Sequence, residues 1–137
     1  MQKEVENVLK RSFPVDELSL YTYYKNCDVY VISSERNCYQ LSREIKIDFT
    51  IASIAIVKDN YEICLFTTDR EYRNMGYGLK LLQCLYEIYG KLKLYVRVSN
   101  KGAINLYEKF GFIIIDIIPN FYSYTRTNED AYEMHLD

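Results

Sequence analysis

The sequence predicts a mixed α/β domain, and three observations carry that prediction. A glycine-bearing turn, Arg73-Asn74-Met75-Gly76-Tyr77-Gly78, joins an apolar, strand-like run (Tyr61 to Thr68) to a strongly amphipathic stretch (Leu79 to Tyr89). Lys91 to Ser99 then alternates with period two: Leu92, Leu94, Val96 and Val98 point one way, Lys93, Tyr95 and Arg97 the other. A second strand-to-helix junction follows at Ser99-Asn100, so helices and strands interleave around one sheet.

The elements follow in order. Val5, Val8 and Leu9 share one face of a first helix that Pro14 ends or follows. Asp16 to Asn26 reads as a second short helix and Asp28 to Ser33 as a strand. The polar stretch Ser34 to Arg43 carries no assignment. Ile45 to Lys58 is apolar and β-branched, and Asp59-Asn60 supplies a turn into the Tyr61 to Thr68 strand, which makes a hairpin. Within the helix after the glycine turn, Leu81, Leu82, Leu85, Ile88 and Tyr89 share a face, and Gly90 is the C-terminal stop. Ala103, Leu106, Tyr107 and Phe110 mark one face of the next helix, which Gly111 terminates. Phe112 to Ile118 is a strand stopped by Pro119, and Tyr132, Met134 and Leu136 alternate in a last strand, forming a hairpin across Asn120 to Asp130. After the opening helices the order is β-β-β-α-β-α-β-β, with helices expected on both faces of a mixed, twisted sheet.

At 137 residues the chain is expected to be a single domain, 1–137, burying roughly two-thirds of its unfolded surface. A net charge of −2 with no basic stripe disfavours nucleic acid as a partner. No apolar run approaches a membrane span, and the charged start Met1-Gln2-Lys3-Glu4-Val5-Glu6 is unlike a secretory signal, so a soluble, cytoplasmic protein is expected. Cys27, Cys38, Cys64 and Cys84 are widely spaced and His135 is the one histidine, so no metal site is expected and the cysteines read as buried reduced thiols. Without a second histidine, nucleophile schemes built on serine or cysteine have no support.

The glycine turn has its own chemistry. A strand, a glycine turn and a helix N-terminus bring together unpaired N–H groups and roughly half an elementary positive charge, a cradle for a phosphate. Without a Cβ at Gly76 and Gly78 an anion can approach the backbone closely. Such a spacing also arises by chance in roughly one chain of this length in ten, so independent motifs must accompany it.

They do. Arg73, Gly76 and Gly78 match the Q/R-x-x-G-x-G/A loop, and Asn100, Ala103, Leu106, Tyr107, Glu108, Gly111 and Phe112 match N-x-x-A-x-x-L-Y-E-x-x-G-F in full. On these residues the chain resembles the GNAT superfamily of acetyl-CoA-dependent N-acetyltransferases. Asn120-Phe121-Tyr122 and Glu129-Asp130-Ala131-Tyr132-Glu133-Met134 resemble segments of its RimI-like branch, which acetylates protein N-termini. Phe13-Pro14-Val15 resembles the F-P-V loop of some eukaryotic N-terminal acetyltransferases. The family usually opens with a β-strand whereas this chain opens with a helix, so that strand is expected to be missing or displaced.

Acetyl transfer needs a neutral amine in line with a thioester, stabilisation of a developing oxyanion, and a proton for the departing thiolate. The resemblance implies that Tyr107 gives that proton. Tyr95 stands at the strand position where RimI-like enzymes keep a glutamate, or some relatives a histidine, as base; a neutral tyrosine is a poor base but can order a water. Glu62, 14 residues before Gly76, has the spacing of the glutamate base in the histone-acetyltransferase branch. Its alternation with Cys64 and Phe66 would project it beside the cofactor groove. The resemblance also assigns the pantetheine arm of acetyl-CoA to backbone groups of Phe66, Thr67 and Thr68 and to Asn100, which equally suits a helix N-cap. The pyrophosphate falls to the amides of Asn74, Met75, Gly76, Tyr77, Gly78 and Leu79, with charge from Arg73. Phe13, Pro14, Val15, Phe121 and Tyr122 would line the acceptor groove. The acceptor implied is a protein or peptide N-terminus. A small amine held by Asp116, Glu129 and Asp130, or a non-catalytic acyl-CoA-binding module, stands as the alternative, and the chain is expected as a monomer or homodimer.

Overall fold

The computed structural model describes residues 26–41, 47–58, 61–122 and 128–137. The two opening helices, the site residues Phe13, Pro14 and Val15, the expected loss of an opening strand and the Asp59-Asn60 turn lie outside them. The described elements are β1 (Asp28–Ser33), β2 (Cys38–Leu41), β3 (Ile51–Val57), β4 (Glu62–Thr68), a 3-10 turn (Arg70–Tyr72), α1 (Tyr77–Tyr89), β5 (Leu92–Arg97), α2 (Lys101–Phe110), β6 (Ile113–Ile118) and β7 (Ala131–Leu136). The strands form a single sheet in the order β2-β1-β3-β4-β5-β7-β6. Every pairing is antiparallel except β4 with β5, which is parallel. α1 is the crossover that a parallel pair requires.

β2 comes from the unassigned polar stretch. It pairs with β1 in register Val29–Leu41 to Ile32–Cys38 and forms one edge of the sheet. Its residues alternate: Cys38 packs toward the helices, and Tyr39 and Leu41 join the apolar cluster of the other face. β3 begins at Ile51, later than the β-branched run suggests, and all seven of its residues are buried. Its nearly continuous apolar run, broken by Ser53, whose hydroxyl bonds that of Thr68 at 2.6 Å, reflects cover on both faces.

Both described helices lie on one face. Leu81, Leu82 and Leu85 of α1 and Ile104 and Tyr107 of α2 are buried in one cluster with Tyr30, Ala55, Val57, Leu92, Leu94, Val96 and Met134. Ile88 points outward at 52% exposure, so the buried stripe of α1 is narrower than the sequence suggests. α1 ends where expected: Gly90 takes a left-handed φ of 75° and its N–H donates to the Tyr86 carbonyl. On the opposite face Val31, Ile51, Ile54 and Ile56 form a second buried cluster. β6 is the far edge strand, and Ile113, Ile114, Ile115 and Ile117 are exposed on it.

Candidate active site

Two features of β4 shape the site. The first is a bulge. β4 pairs with β3 as Ile56–Leu65 and then Val57–Ile63, so Cys64 is the extra residue. Strict alternation would place Glu62 with Phe66; the bulge instead puts Ile63 on the face of Phe66 and turns Glu62 to the face away from the helices. The second feature is a split. β4 and β5 pair at Glu62–Lys93 and Ile63–Leu94, and beyond these no β4–β5 pair exists among the described residues. The backbone of Phe66, Thr67 and Thr68 therefore borders a wedge between two parting strands.

At the open end of the wedge lies the glycine turn. Asn74 and Gly76 take left-handed φ values of 62° and 85°, and Gly76 caps α1 with no side-chain hydrogen bond to the helix. The first N–H groups of the helix thus lack the side-chain acceptor that usually meets them. α1 approaches β4 closely here: a Cβ on Gly78 would stand 3.3 Å from Leu106 Cδ2, 3.6 Å from Phe66 Cε1 and 3.7 Å from Thr68 Oγ1. Arg73 donates from Nε to the Thr68 carbonyl at 3.0 Å, tying the turn to the strand end. Asn100 accepts from the Ala103 N–H at 3.2 Å, so its side chain is the N-cap of α2.

Tyr107 reaches the helix side of the wedge from α2. It is 6% exposed, packs edge-on to Phe66 at 5.9 Å and tilts against Phe112 at 5.6 Å. Its hydroxyl makes no hydrogen bond among the described residues. Burial, and to a lesser degree the nearby Tyr122 phenol, push its pKa above the ordinary tyrosine value, so it is a proton-bearing phenol at neutral pH.

The other face of β5 and β7 carries a polar and aromatic strip. Glu62 lies 3.7 Å from Lys93 Nζ and 3.8 Å from Lys58 Nζ, its side chain 17% exposed. Along β7, His135 stands opposite Lys93 and Glu133 opposite Tyr95, and His135 Nε2 and Glu133 Oε2 are 2.7 Å apart. Tyr95 stacks on Phe121 at 4.7 Å, and Phe121 meets Tyr122 edge-on at 4.9 Å. Arg97 lies over the Tyr122 ring at 4.1 Å and 3.7 Å from Glu129. Glu62, Tyr95, Phe121 and Tyr122, chosen from separate parts of the sequence, thus gather on one side of the split while Tyr107, Phe66 and Gly78 gather on the other. Glu133 and His135 join the first group unforeseen. Their signal was the period-two spacing from Ala131, which has meaning only once β7 is known to pair with β5.

The deciding comparison is with the family model for Acetyltransferase (GNAT) family, which matches residues 3–112. This chain belongs to the GNAT acetyltransferase family. As a GNAT chain it is 36% identical over 85 residues to an N-alpha-acetyltransferase of Sulfurisphaera tokodaii, a match covering 58% of this chain and 48% of that protein. The matched stretch spans about half the length of that curated relative. The ribosomal-protein-S18-alanine N-acetyltransferase of Escherichia coli superposes with a TM-score of 0.70 at 24% identity, over 99% of this chain and 89% of that one. Arabidopsis thaliana Naa50, solved with the bisubstrate analogue CoA-Ac-MVNAL, gives 0.66 at 19%, over 98% and 90%. These likenesses establish the GNAT fold. No described helix is long and apolar enough to cross a membrane, and no cluster of metal-ligating side chains occurs among the described residues.

Proposed function

We propose that this GNAT chain transfers the acetyl group of acetyl-CoA to the α-amino group of a protein or peptide N-terminus. One arrangement carries the reading: β4 and β5 part beside an uncapped helix N-terminus, with a buried phenol on one side of the split and a polar, aromatic strip on the other. The residues fit acetyl-CoA. The amides from Asn74 to Leu79 meet the pyrophosphate, the backbone of Phe66 to Thr68 meets the pantetheine arm, and Asn100, whose Oδ1 caps α2, keeps its Nδ2 donors for that arm. The thioester supplies the activated acetyl group.

The chain's own groups divide the remaining work. Tyr107 holds a proton for the sulfur that departs. An α-amino group, with pKa near 7.7 to 8.0, gives up its proton far more readily than lysine near 10.4, and in the strip Glu62, Glu133 and His135 offer the acceptors that receive it, directly or through water that Tyr95 orders. Phe121 and Tyr122 present flat apolar surface to the first residues of a peptide. The Sulfurisphaera tokodaii relative is an N-alpha-acetyltransferase, and the aromatic strip is consistent with an N-terminal acceptor here.

The test is a turnover screen with acetyl-CoA against free N-terminal peptides, N-terminally blocked lysine peptides and polyamines. Acetylation of the free N-termini at least tenfold faster than the other two is expected. Acetate accepted by polyamines alone would overturn the acceptor assignment, and no turnover with tight CoA binding would mark a non-catalytic binding module.

A further inference from the structure

A second arginine, from a distant part of the chain, lies at the glycine turn. The motif supplies Arg73, whose Nε donates to the Thr68 carbonyl at the strand end. Arg36, in the turn between β1 and β2, lies directly against the cradle. Its Nη2 donates to the Met75 carbonyl at 2.7 Å, its Cζ sits 4.2 Å from the Tyr77 ring centroid, and its Nη1 is 3.7 Å from where a Cβ on Gly76 would be.

We propose that Arg36 grips the pyrophosphate of acetyl-CoA at the N-terminus of α1. This rests on the acetyl-CoA reading above. The turn is built to hold the guanidinium in place. Tyr77, the first residue of α1, donates its hydroxyl to the Ser34 carbonyl at 2.7 Å, so the turn and the helix start are clasped from both directions. Arg36 N–H donates to Ser33 O at 2.8 Å, Ser33 N–H to Asn37 O at 2.9 Å, and Ser34 N–H to Thr50 O at 2.8 Å. Arg36 itself takes a left-handed φ of 71°, a conformation that non-glycine residues seldom adopt. The Met75 bond uses one donor of a planar group that carries five, and the Tyr77 ring beneath its Cζ holds the group in place. Donors remain for an anion, and a full positive charge adds to the partial charge of the helix terminus at the point where phosphate oxygens would lie.

The experiment measures the affinity of the full chain for CoA and for dephospho-CoA, which keeps the pyrophosphate but lacks the 3′-phosphate. Wild type is compared with Arg36→Met, which keeps the stem on Tyr77 and removes the charge. Roughly tenfold weaker binding of both ligands is expected, as for a lost charge-assisted hydrogen bond, with a shallower dependence on salt and an unchanged melting temperature without ligand. Equal affinity of the two proteins overturns the inference while leaving the acetyl-CoA reading intact. A loss seen with CoA but not with dephospho-CoA assigns Arg36 to the 3′-phosphate and overturns the pyrophosphate contact. Failure of the wild type to bind CoA at all removes the reading itself. If Arg36→Met lowers the melting temperature, Arg36→Lys decides: affinity nearer wild type supports a charge that grips phosphate, and an equal loss overturns it.

Discussion

Glu62 and Phe66 lie on opposite faces of β4 although they are four positions apart, because the bulge at Cys64 shifts the register between Ile56–Leu65 and Val57–Ile63. Phe66 therefore packs against Tyr107 on the helix side, and Glu62 joins Lys93 on the far side. One extra residue sets Tyr107 and the Glu62 carboxylate on opposite faces of the sheet. An acyl donor threaded through the split would meet Tyr107 from one side and the acceptor amine from the other.

This separation predicts how Glu62→Gln behaves. The substitution keeps the size of the side chain and removes its charge, so the rate of acetyl transfer should fall by about 10²-fold, the usual range for a lost general base. The affinity for CoA should change less than twofold, since Glu62 lies away from the cradle. Steady-state kinetics alongside CoA titration separates the two quantities. Weakened CoA binding with an intact rate would place Glu62 on the donor side after all.

Substitutions in the glycine turn should act differently from each other. Gly76→Ala forces a φ of 85° on an L residue, at a cost of about 1–2 kcal/mol, so both melting temperature and CoA affinity should drop. Gly78 has no such backbone demand; its added Cβ would meet Leu106 of α2 at 3.3 Å and Phe66 of β4 at 3.6 Å, narrowing the space that α1 shares with both. Gly78→Ala should therefore weaken CoA binding more than it lowers the melting temperature. Chemical denaturation paired with CoA titration of both variants checks the contrast, and equal behaviour of the two would contradict it.

Alkaline pH should loosen the fold. Burial pushes the Cys64 thiol up to about 11, and burial followed by the adjoining Cys84 thiol pushes Cys38 up to about 12. Between the ordinary thiol value and these raised ones the folded chain keeps protons that the unfolded chain has released. The unfolded state binds fewer protons there, so stability is fully present below the ordinary value and falls as pH rises through that window. Melting temperature should stay level to about pH 8 and decline from about pH 9. The double variant Cys38→Ala, Cys64→Ala should decline less steeply, and an identical slope would mean the thiols do not contribute.

Much of the architecture was legible in local pattern. The glycine turn, α1, the alternation of β5 and the β6–β7 hairpin follow from spacings within a few residues, and the two motifs led to Tyr107 and Asn100. What escaped depends on contacts distant in sequence. β2 is four residues long in a polar stretch, and its alternation gains meaning only from pairing with β1. The bulge at Cys64 is invisible because parity along a strand is inferred by counting. Arg36 could not be placed at the cradle because 40 residues separate it from Gly76. Glu133 and His135 read as ordinary strand residues until β5–β7 register sets them opposite Tyr95 and Lys93.

Tyr107→Phe is the sharpest test of the donor side. The ring keeps its packing against Phe66 and Phe112, and the hydroxyl has no hydrogen bond to lose among the described residues, so the variant should fold with little change in melting temperature. Loss of the proton donor should nonetheless lower kcat by tenfold or more, with CoA affinity nearly unchanged. The pH profile adds a second constraint. Because burial raises the phenol above its ordinary value, Tyr107 stays protonated across the neutral and mildly alkaline range, and its ionisation should produce no fall in kcat below about pH 10. A fall in wild-type kcat near pH 8 to 9 that vanishes in Tyr107→Phe would contradict a buried, protonated donor.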